Sequence, residues 1–144
     1  EGRKAPDRPA KLIACVREEA AALAASAGVD PGAVVLGGRS MGGRMCSLAV
    51  AEGLPAAGLV LVSYPLHPPG RPERLRTEHL GDIRVPCLFV SGTRDSFGSP
   101  EELETHTASI AGTVTHTWID GGRHELKGAD EEVAVAVAGW VTAL

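Results

Sequence analysis

The sequence has no long apolar run and no leader-like segment. Its most hydrophobic stretches are short and interrupted by Gly, Pro or charged residues, whereas a membrane-spanning helix needs about 20 mostly apolar residues in succession. Residues 1–7 do not show the basic and then apolar order of a signal peptide. We therefore expect a cytoplasmic protein without a membrane span.

Cysteine is scarce, and the basic residues are scattered. The three cysteines, Cys15, Cys46 and Cys87, have neither C-x-x-C nor metal-ligand spacing, so we expect small buried side chains rather than redox or metal chemistry. The 14 Lys and Arg residues are outnumbered by 18 Asp and Glu, and they do not form the cluster that a phosphate-binding surface requires. We expect no nucleic-acid partner, no metal ion and no organic cofactor.

Helical and extended patterns alternate along the 144 residues, and this alternation favours an α/β fold with a parallel sheet. Amphipathic spacing and capping residues predict helices over 7–28, 41–51, 99–110 and from 130 onward, with one or two helical turns within 73–80. In the first helix Asp7 is the expected N-cap, and the expected buried face is Leu12, Val16, Ala20 and Leu23. In the last helix Asp130 is the expected cap, and the expected buried stripe is Val133, Val137, Trp140 and Val141. Short apolar or β-branched runs predict strands over 33–36, 58–64, 85–91 and 113–119. The expected architecture is a three-layer α/β/α sandwich in which residues 1–144 form one domain.

The first strand and the second helix meet in Gly38-Arg39-Ser40-Met41-Gly42, a G-x-S-x-G pattern. A nucleophile elbow needs a buried strand before the serine, a helix after it, and small residues two positions to either side. In that context Ser40 is a candidate nucleophile, and the free backbone N–H of Met41 is a candidate oxyanion donor. The alternative is a glycine-rich turn that only reverses the chain. Phosphate binding is disfavoured because the loop contains no lysine.

A serine nucleophile needs a histidine base and a carboxylate that orients it. In an open parallel sheet these groups lie at the carboxyl ends of later strands. Asp95 follows the third predicted strand and His124 follows the fourth, so we assign Asp95 as the acid and His124 as the base. His67 follows the second strand but precedes Asp95. We assign His67, together with Arg39 of the elbow, as candidate substrate contacts.

With these residues located, the chain resembles the α/β-hydrolase superfamily, and within it the small lidless proteins grouped with dienelactone hydrolases. The resemblance is carried by four segments in order, at residues 38–43, 63–70, 92–95 and 122–124. It implies hydrolysis of an ester or related acyl bond of a small-molecule substrate. Dienelactone hydrolases proper use a cysteine nucleophile, so the serine at position 40 argues against that particular reaction.

The resemblance also implies that about four further strands and a helix precede Glu1. The chain is then expected to be the C-terminal part of the fold, without the N-terminal strands and without the loop that donates the second oxyanion N–H. We expect weak or no catalysis from these residues alone. Two other interpretations stay open, a non-catalytic hydrolase-fold scaffold or interaction module and a serine peptidase on the same fold. The sequence does not specify the oligomeric state.

Overall fold

The computed structural model describes residues 7–144, and within that range four parallel strands form one sheet. The strands lie in the order β1-β2-β3-β4, with β1 at Val35–Arg39, β2 at Gly58–Val62, β3 at Cys87–Gly92 and β4 at Val114–Ile119. The helices are α1 at Pro9–Ala27, α2 at Met41–Ala51, α3 at Pro100–Thr107 and α4 at Asp130–Thr142. The predicted α/β fold with a parallel sheet is confirmed.

Helices cover both faces of the sheet because side chains alternate along each strand. On one face, Leu59 and Phe89 pack in a cluster with residues of α2 and α3, among them Cys46 and Leu103. On the other face, a second cluster joins strand residues to half-buried residues of α4 (Val60, Leu88, Val90, Val133, Val137, Trp140). The arrangement is the three-layer α/β/α sandwich. Strand β1 pairs with β2 alone among the described residues.

Helix α1 differs from its prediction in its first residues and in its buried face. Its N-cap is Arg8, whereas Asp7 pairs with Lys11 at 3.0 Å. The buried residues are Ile13 and Ala24, since the face against α2 is rotated by about one residue from the predicted one. Leu23, which was expected inside, is therefore 56% exposed. The rotation also makes Cys15 exposed, so the expectation of three buried cysteines was wrong for this residue.

Several helix and strand boundaries differ from the predicted ones for local reasons. Strand β1 begins at Val35 because Pro31–Ala33 forms a 3-10 turn, capped by the Asp30 carboxylate, which accepts the Gly32 N–H at 2.7 Å. Helix α3 ends at Thr107, about one turn earlier than predicted. The segment 73–80 is largely irregular, with a 3-10 turn at Leu80–Asp82.

Helix α4 was expected to bury a stripe of Val133, Val137, Trp140 and Val141, with Asp130 as its cap. The cap residue is Ala129, and Asp130 is the first helical residue. None of the α4 residues is fully buried, and Val141 is 38% exposed. Val133, Val137 and Trp140 therefore contact the sheet as expected but are only half-buried, and the prediction was wrong for Val141.

Two further observations concern the described residues only. No helix within 7–144 combines the length and the apolar composition that crossing a membrane would require. Over the same range, no three His, Cys, Asp or Glu side chains are grouped in a way that could hold a metal ion.

Candidate active site

Ser40 lies at the sharp turn between β1 and α2. Its backbone has φ 51° and ψ −121°, a conformation that costs a non-glycine residue about 1–3 kcal/mol and that the surrounding structure must hold. The Ser40 N–H donates to the carbonyl oxygen of Val62 at 2.8 Å. This bond continues the pairing between β1 and β2 by one residue, so the neighbouring strand fixes the strained turn.

Two glycines allow the turn to close. A Cβ on Gly38 would lie 2.6 Å from the backbone N of Gly43, and a Cβ on Gly43 would lie 2.6 Å from the carbonyl oxygen of Gly38. Both approaches are too short for any side chain. A Cβ on Gly42 would meet nothing within 4 Å among the described residues. The expected need for small residues on both sides of the serine therefore applies to Gly38, while Gly43 rather than Gly42 makes the second close approach.

The side chains of Ser40, His124 and Asp95 form a continuous hydrogen-bonded chain. The Oγ of Ser40 lies 2.8 Å from Nε2 of His124. On the other side of the ring, Nδ1 of His124 lies 2.9 Å from Oδ2 and 3.1 Å from Oδ1 of Asp95. The Asp95 side chain is 2% exposed and that of His124 is 19% exposed. The carboxylate is thus shielded from water, whereas Ser40 and His124 are only partly buried.

The partners determine which ring nitrogen carries the proton. An ionised carboxylate only accepts hydrogen bonds, so Nδ1 of His124 must be the protonated nitrogen that donates to Asp95. In the neutral ring Nε2 then has a free lone pair and accepts the hydroxyl proton of Ser40. This is the tautomer in which an imidazole can act as a general base toward a serine.

The loops that carry Asp95 and His124 are fastened to each other. The N–H of Arg94 donates to the carbonyl oxygen of Gly122 at 2.8 Å, and the hydroxyl of Thr93 accepts the N–H of Gly121 at 2.8 Å. A Cβ on Gly92 would lie 2.1 Å from the Gly122 oxygen, so the two loops touch backbone to backbone. This contact fixes the separation between the acid and the base.

Phe97 is a site residue that the sequence did not suggest. Its ring stacks on the imidazole of His124, with centroids 3.9 Å apart and 26° between the planes. Its backbone N–H donates to Oδ1 of Asp95 at 2.8 Å. Phe97 therefore contacts both Asp95 and His124. The one available signal was an aromatic residue two positions after the acid in a chain with only 3% aromatic residues.

Met41 is the first residue of α2. The first N–H groups of a helix have no intrahelical acceptor, and the positive end of the helix dipole lies beside them. The backbone N–H of Met41 is thus free to receive an oxyanion next to Ser40. Its assignment as an oxyanion donor stays a prediction.

Arg39 is joined to the histidine loop. Its Nη2 donates to the backbone carbonyl oxygen of His124 at 3.4 Å, and the residue is exposed. The contact connects residues 85 positions apart in the chain, from the elbow to the loop after β4. Arg39 therefore lies at the rim of the site, and its role as a substrate contact stays a prediction.

His67 has different partners. It is 5% exposed, with Nδ1 2.8 Å from the carbonyl oxygen of Pro68 and Nε2 3.2 Å from Oε1 of Glu102. Both partners are acceptors, so both hydrogen bonds form together only when the ring is an imidazolium. The backbone N–H of His67 donates to the carbonyl oxygen of Phe97 at 3.1 Å. His67 thus stabilises the loop that contains Phe97. None of its hydrogen bonds involves Ser40, Asp95 or His124.

A cavity of about 400 Å³ opens beside the imidazole. Its lining includes the histidine, the aromatic residue stacked on it, two arginines and a glutamate (Arg94, Ser96, Phe97, Arg123, His124, Glu125). The imidazole of His124 therefore borders a groove with an apolar side and charged groups of both signs.

The fold is shared with hydrolases of known structure, at low sequence identity. An alpha-beta serine hydrolase homologue from Coxiella burnetii aligns at 17% identity with a TM-score of 0.73, over 96% of this chain and 63% of its own. A protein assigned as a dienelactone hydrolase from Klebsiella pneumoniae aligns at 17% identity and a TM-score of 0.70, over 93% of this chain and 60% of its own. The esterase domain of a Rhodothermus marinus protein aligns at 15% identity and a TM-score of 0.67, over 89% and 67%.

This chain thus spans less than two thirds of the Coxiella and Klebsiella proteins. Structural similarity at this level of sequence identity establishes a common fold, and it does not establish a common activity. The family-level assignment comes from the sequence itself, since the model of the alpha/beta hydrolase domain family matches residues 1–136. The chain belongs to the alpha/beta hydrolase family.

Proposed function

We propose that the protein is a serine hydrolase that cleaves an ester or a related acyl bond of a small-molecule substrate. Ser40 is the nucleophile, His124 the general base and then acid, and Asp95 the carboxylate that orients the imidazole. The observation that carries the proposal is the unbroken chain from Ser40 Oγ to His124 Nε2 at 2.8 Å and from His124 Nδ1 to Asp95 Oδ2 at 2.9 Å.

The chemistry follows from this arrangement. As Ser40 Oγ forms a bond to the substrate carbonyl carbon, its proton passes to Nε2 of His124, and the carbonyl electron pair moves onto oxygen. The backbone N–H of Met41 stabilises that oxyanion. When the intermediate collapses, the alcohol leaves with the proton from His124, and an acyl group remains on Ser40. Water then repeats the two steps, which releases the acid and restores the serine hydroxyl.

Asp95 contributes through the histidine. The carboxylate accepts the hydrogen bond from Nδ1–H throughout, so the ring keeps Nε2 directed at Ser40 and its positive charge is stabilised when it is protonated. Asp95 is nearly inaccessible to water, and this raises the strength of that electrostatic interaction. The serine hydrolase homologue and the esterase domain among the structural neighbours favour the ester class for the same fold.

A fluorophosphonate probe tests the proposal, because it reacts covalently with a serine activated by a neighbouring base. We expect the complete protein to be labelled, and Ser40→Ala or His124→Ala to abolish labelling. Hydrolysis of p-nitrophenyl butyrate should fall by roughly 10⁴-fold or more in the same variants.

Ser91→Ala is the matched control. Ser91 is buried near the end of β3, and its hydroxyl has no hydrogen-bond partner in the described part of the chain, so we expect its removal to leave the site intact. Labelling that persists in Ser40→Ala, or an unlabelled wild-type protein that is folded, would favour the non-catalytic scaffold instead.

A further inference from the structure

A second polar cluster lies beside the nucleophile helix, and the hydrolytic chemistry does not use it. It contains Arg44 and Ser47 of α2 with Tyr64, Arg76 and His79 of the segment after β2. The cluster is close to the site in the chain, since the backbone N–H of Arg44 donates to the carbonyl oxygen of Ser40 at 3.1 Å. Arg44 therefore begins the next helical turn after the serine.

Internal hydrogen bonds hold the frame of this cluster. The Tyr64 hydroxyl, on a residue that is 1% exposed, donates to the carbonyl oxygen of Arg76 at 2.8 Å. The Ser47 hydroxyl donates to the carbonyl oxygen of Arg44 at 2.7 Å and lies 2.8 Å from Nε2 of His79. Because the Ser47 proton is already used, the His79 Nε2–H must donate to Ser47. These hydrogen bonds thus fix the backbone positions of Arg44 and Arg76.

The guanidinium groups, in contrast, have few hydrogen-bond acceptors among the described residues. Nε of Arg44 is buried and has no hydrogen-bond partner within residues 7–144. The side-chain contact found for Arg76 is a long one, from Nη1 to the carbonyl oxygen of Pro65 at 3.5 Å. Neither arginine forms an ion pair with a carboxylate in the described part of the chain. The acidic residue nearest to Arg76 in the sequence is Glu78, and it is exposed.

The electrostatics agree with this picture. Partial burial and the charge of Arg44 together lower the pKa of Arg76. Burial, followed by the same Arg44 charge, lowers the pKa of His79. The charge of Arg44 thus acts on Arg76, while the buried Nε of Arg44 has no acceptor among the described residues. Such an arrangement is costly unless an anion neutralises it.

We propose that Arg44 and Arg76 form an anion-binding subsite, one helical turn from Ser40, that takes a carboxylate or phosphate group. The planar guanidinium matches the paired oxygens of either group, and a charged acceptor would satisfy the buried Nε of Arg44. The anion has two possible sources, a charged group of the ester substrate or a free anion that binds beside it. The first source rests on the proposed function and the second does not.

The binding arm of the test uses inorganic phosphate as the probe and needs no activity. Phosphate is titrated into the complete protein at constant ionic strength, with chloride as the reference salt, and the dissociation constant is measured by NMR chemical shifts. We expect Arg44→Gln and Arg76→Gln each to weaken phosphate binding by about tenfold or more, equivalent to the loss of one charge-assisted contact. Arg74→Gln, on an exposed neighbour, is the control and should change binding by less than about twofold.

The substrate arm distinguishes the two sources. Hydrolysis of p-nitrophenyl hemisuccinate, an anionic ester, is compared with that of p-nitrophenyl butyrate, a neutral ester with the same chain length. If the anion belongs to the substrate, the two arginine variants lose at least about tenfold in kcat/KM for the hemisuccinate alone. If both esters respond equally while phosphate binding is lost, the subsite binds a free anion.

Failure of the anion subsite and failure of the proposed function give different results. No phosphate binding by the wild-type protein, or equal binding by all four proteins, overturns the anion subsite whatever the activity. Ser40-independent hydrolysis overturns the proposed function and leaves the phosphate titration valid. Because Arg44 also packs within α2, Arg76→Gln provides an independent variant if Arg44→Gln does not fold.

Discussion

The ring of Phe97 stacks on the imidazole of His124 at a centroid distance of 3.9 Å, while the Phe97 backbone N–H donates to the Asp95 carboxylate at 2.8 Å. Phe97 thus contacts Asp95 through its backbone and His124 through its side chain. The backbone contact survives any substitution other than proline, so the two effects can be separated by mutation.

Phe97→Leu should slow hydrolysis without unfolding the protein. Aromatic stacking of this kind contributes about 0.5–1.5 kcal/mol beyond area burial, which corresponds to a factor of about 2–13 in rate if it is lost from the reactive arrangement. The measurement is kcat for p-nitrophenyl butyrate. Phe97→Tyr keeps the stacked ring and should restore most of the rate, and an equal loss in both variants would argue against a role for the stack.

Asp95→Asn should reduce kcat far more than it reduces stability. An amide in place of the carboxylate can present its NH₂ group to Nδ1, which favours the wrong imidazole tautomer, and such a change costs about 10⁴-fold in a serine triad. Asp120→Asn is the matched control, because the Asp120 carboxylate is exposed and accepts only a long contact of 3.5 Å from Thr93. Comparable losses in the two variants would show that Asp95 is not the acid.

Gly38→Ala and Gly42→Ala should differ although both belong to the serine motif. A Cβ on Gly38 would lie 2.6 Å from backbone atoms of α2, and such overpacking typically costs about 1–3 kcal/mol. A Cβ on Gly42 meets nothing within 4 Å, and alanine favours a helix over glycine by about 0.5–1 kcal/mol. Urea unfolding should therefore show a loss for Gly38→Ala and no loss for Gly42→Ala. The reverse order would contradict the close approach at Gly38.

The sequence predicted the sheet and the convergence of Ser40, Asp95 and His124 for the same physical reason. Strands β2 and β3 are buried on both faces, and such strands read as continuous apolar runs, so their bounds were right to within about two residues. In a parallel sheet the carboxyl ends of the strands share one edge. Ser40, Asp95 and His124 each follow a strand, and the structure brings them within hydrogen-bonding distance.

Contacts that depend on loop paths could not be predicted in this way. The stack of Phe97 on His124 depends on how the chain turns after Asp95, and no periodic pattern encodes that turn. The pairing of His67 with Glu102 joins residues 35 positions apart, and Glu102 had a sufficient local explanation in the capping box of α3, which the structure also contains. The buried face of α1 was shifted because small alanines on every side leave its amphipathic pattern weak.

The free energy of unfolding should decrease as the pH is lowered from 7.5 to 5.5, partly because of His116. Burial lowers the pKa of His116 from its ordinary 6.5, against the weaker opposing effect of Glu104. Its Nε2 lies 3.1 Å from the Thr107 hydroxyl, and its buried Nδ1 has no partner to accept a proton from it.

The unfolded chain consequently binds a proton on this residue at a higher pH than the folded chain does. The contribution of His116 to the free energy of unfolding is therefore present above pH 6.5 and is lost as the pH falls below that value. For one histidine the loss is at most about 1.4 kcal/mol at pH 5.5. His116→Phe, whose ring can occupy the stack between Phe89 and Trp118, removes this contribution. Urea unfolding at the two pH values should therefore show a smaller difference for His116→Phe than for the wild type. An unchanged difference would mean that His116 takes up its proton equally in both states.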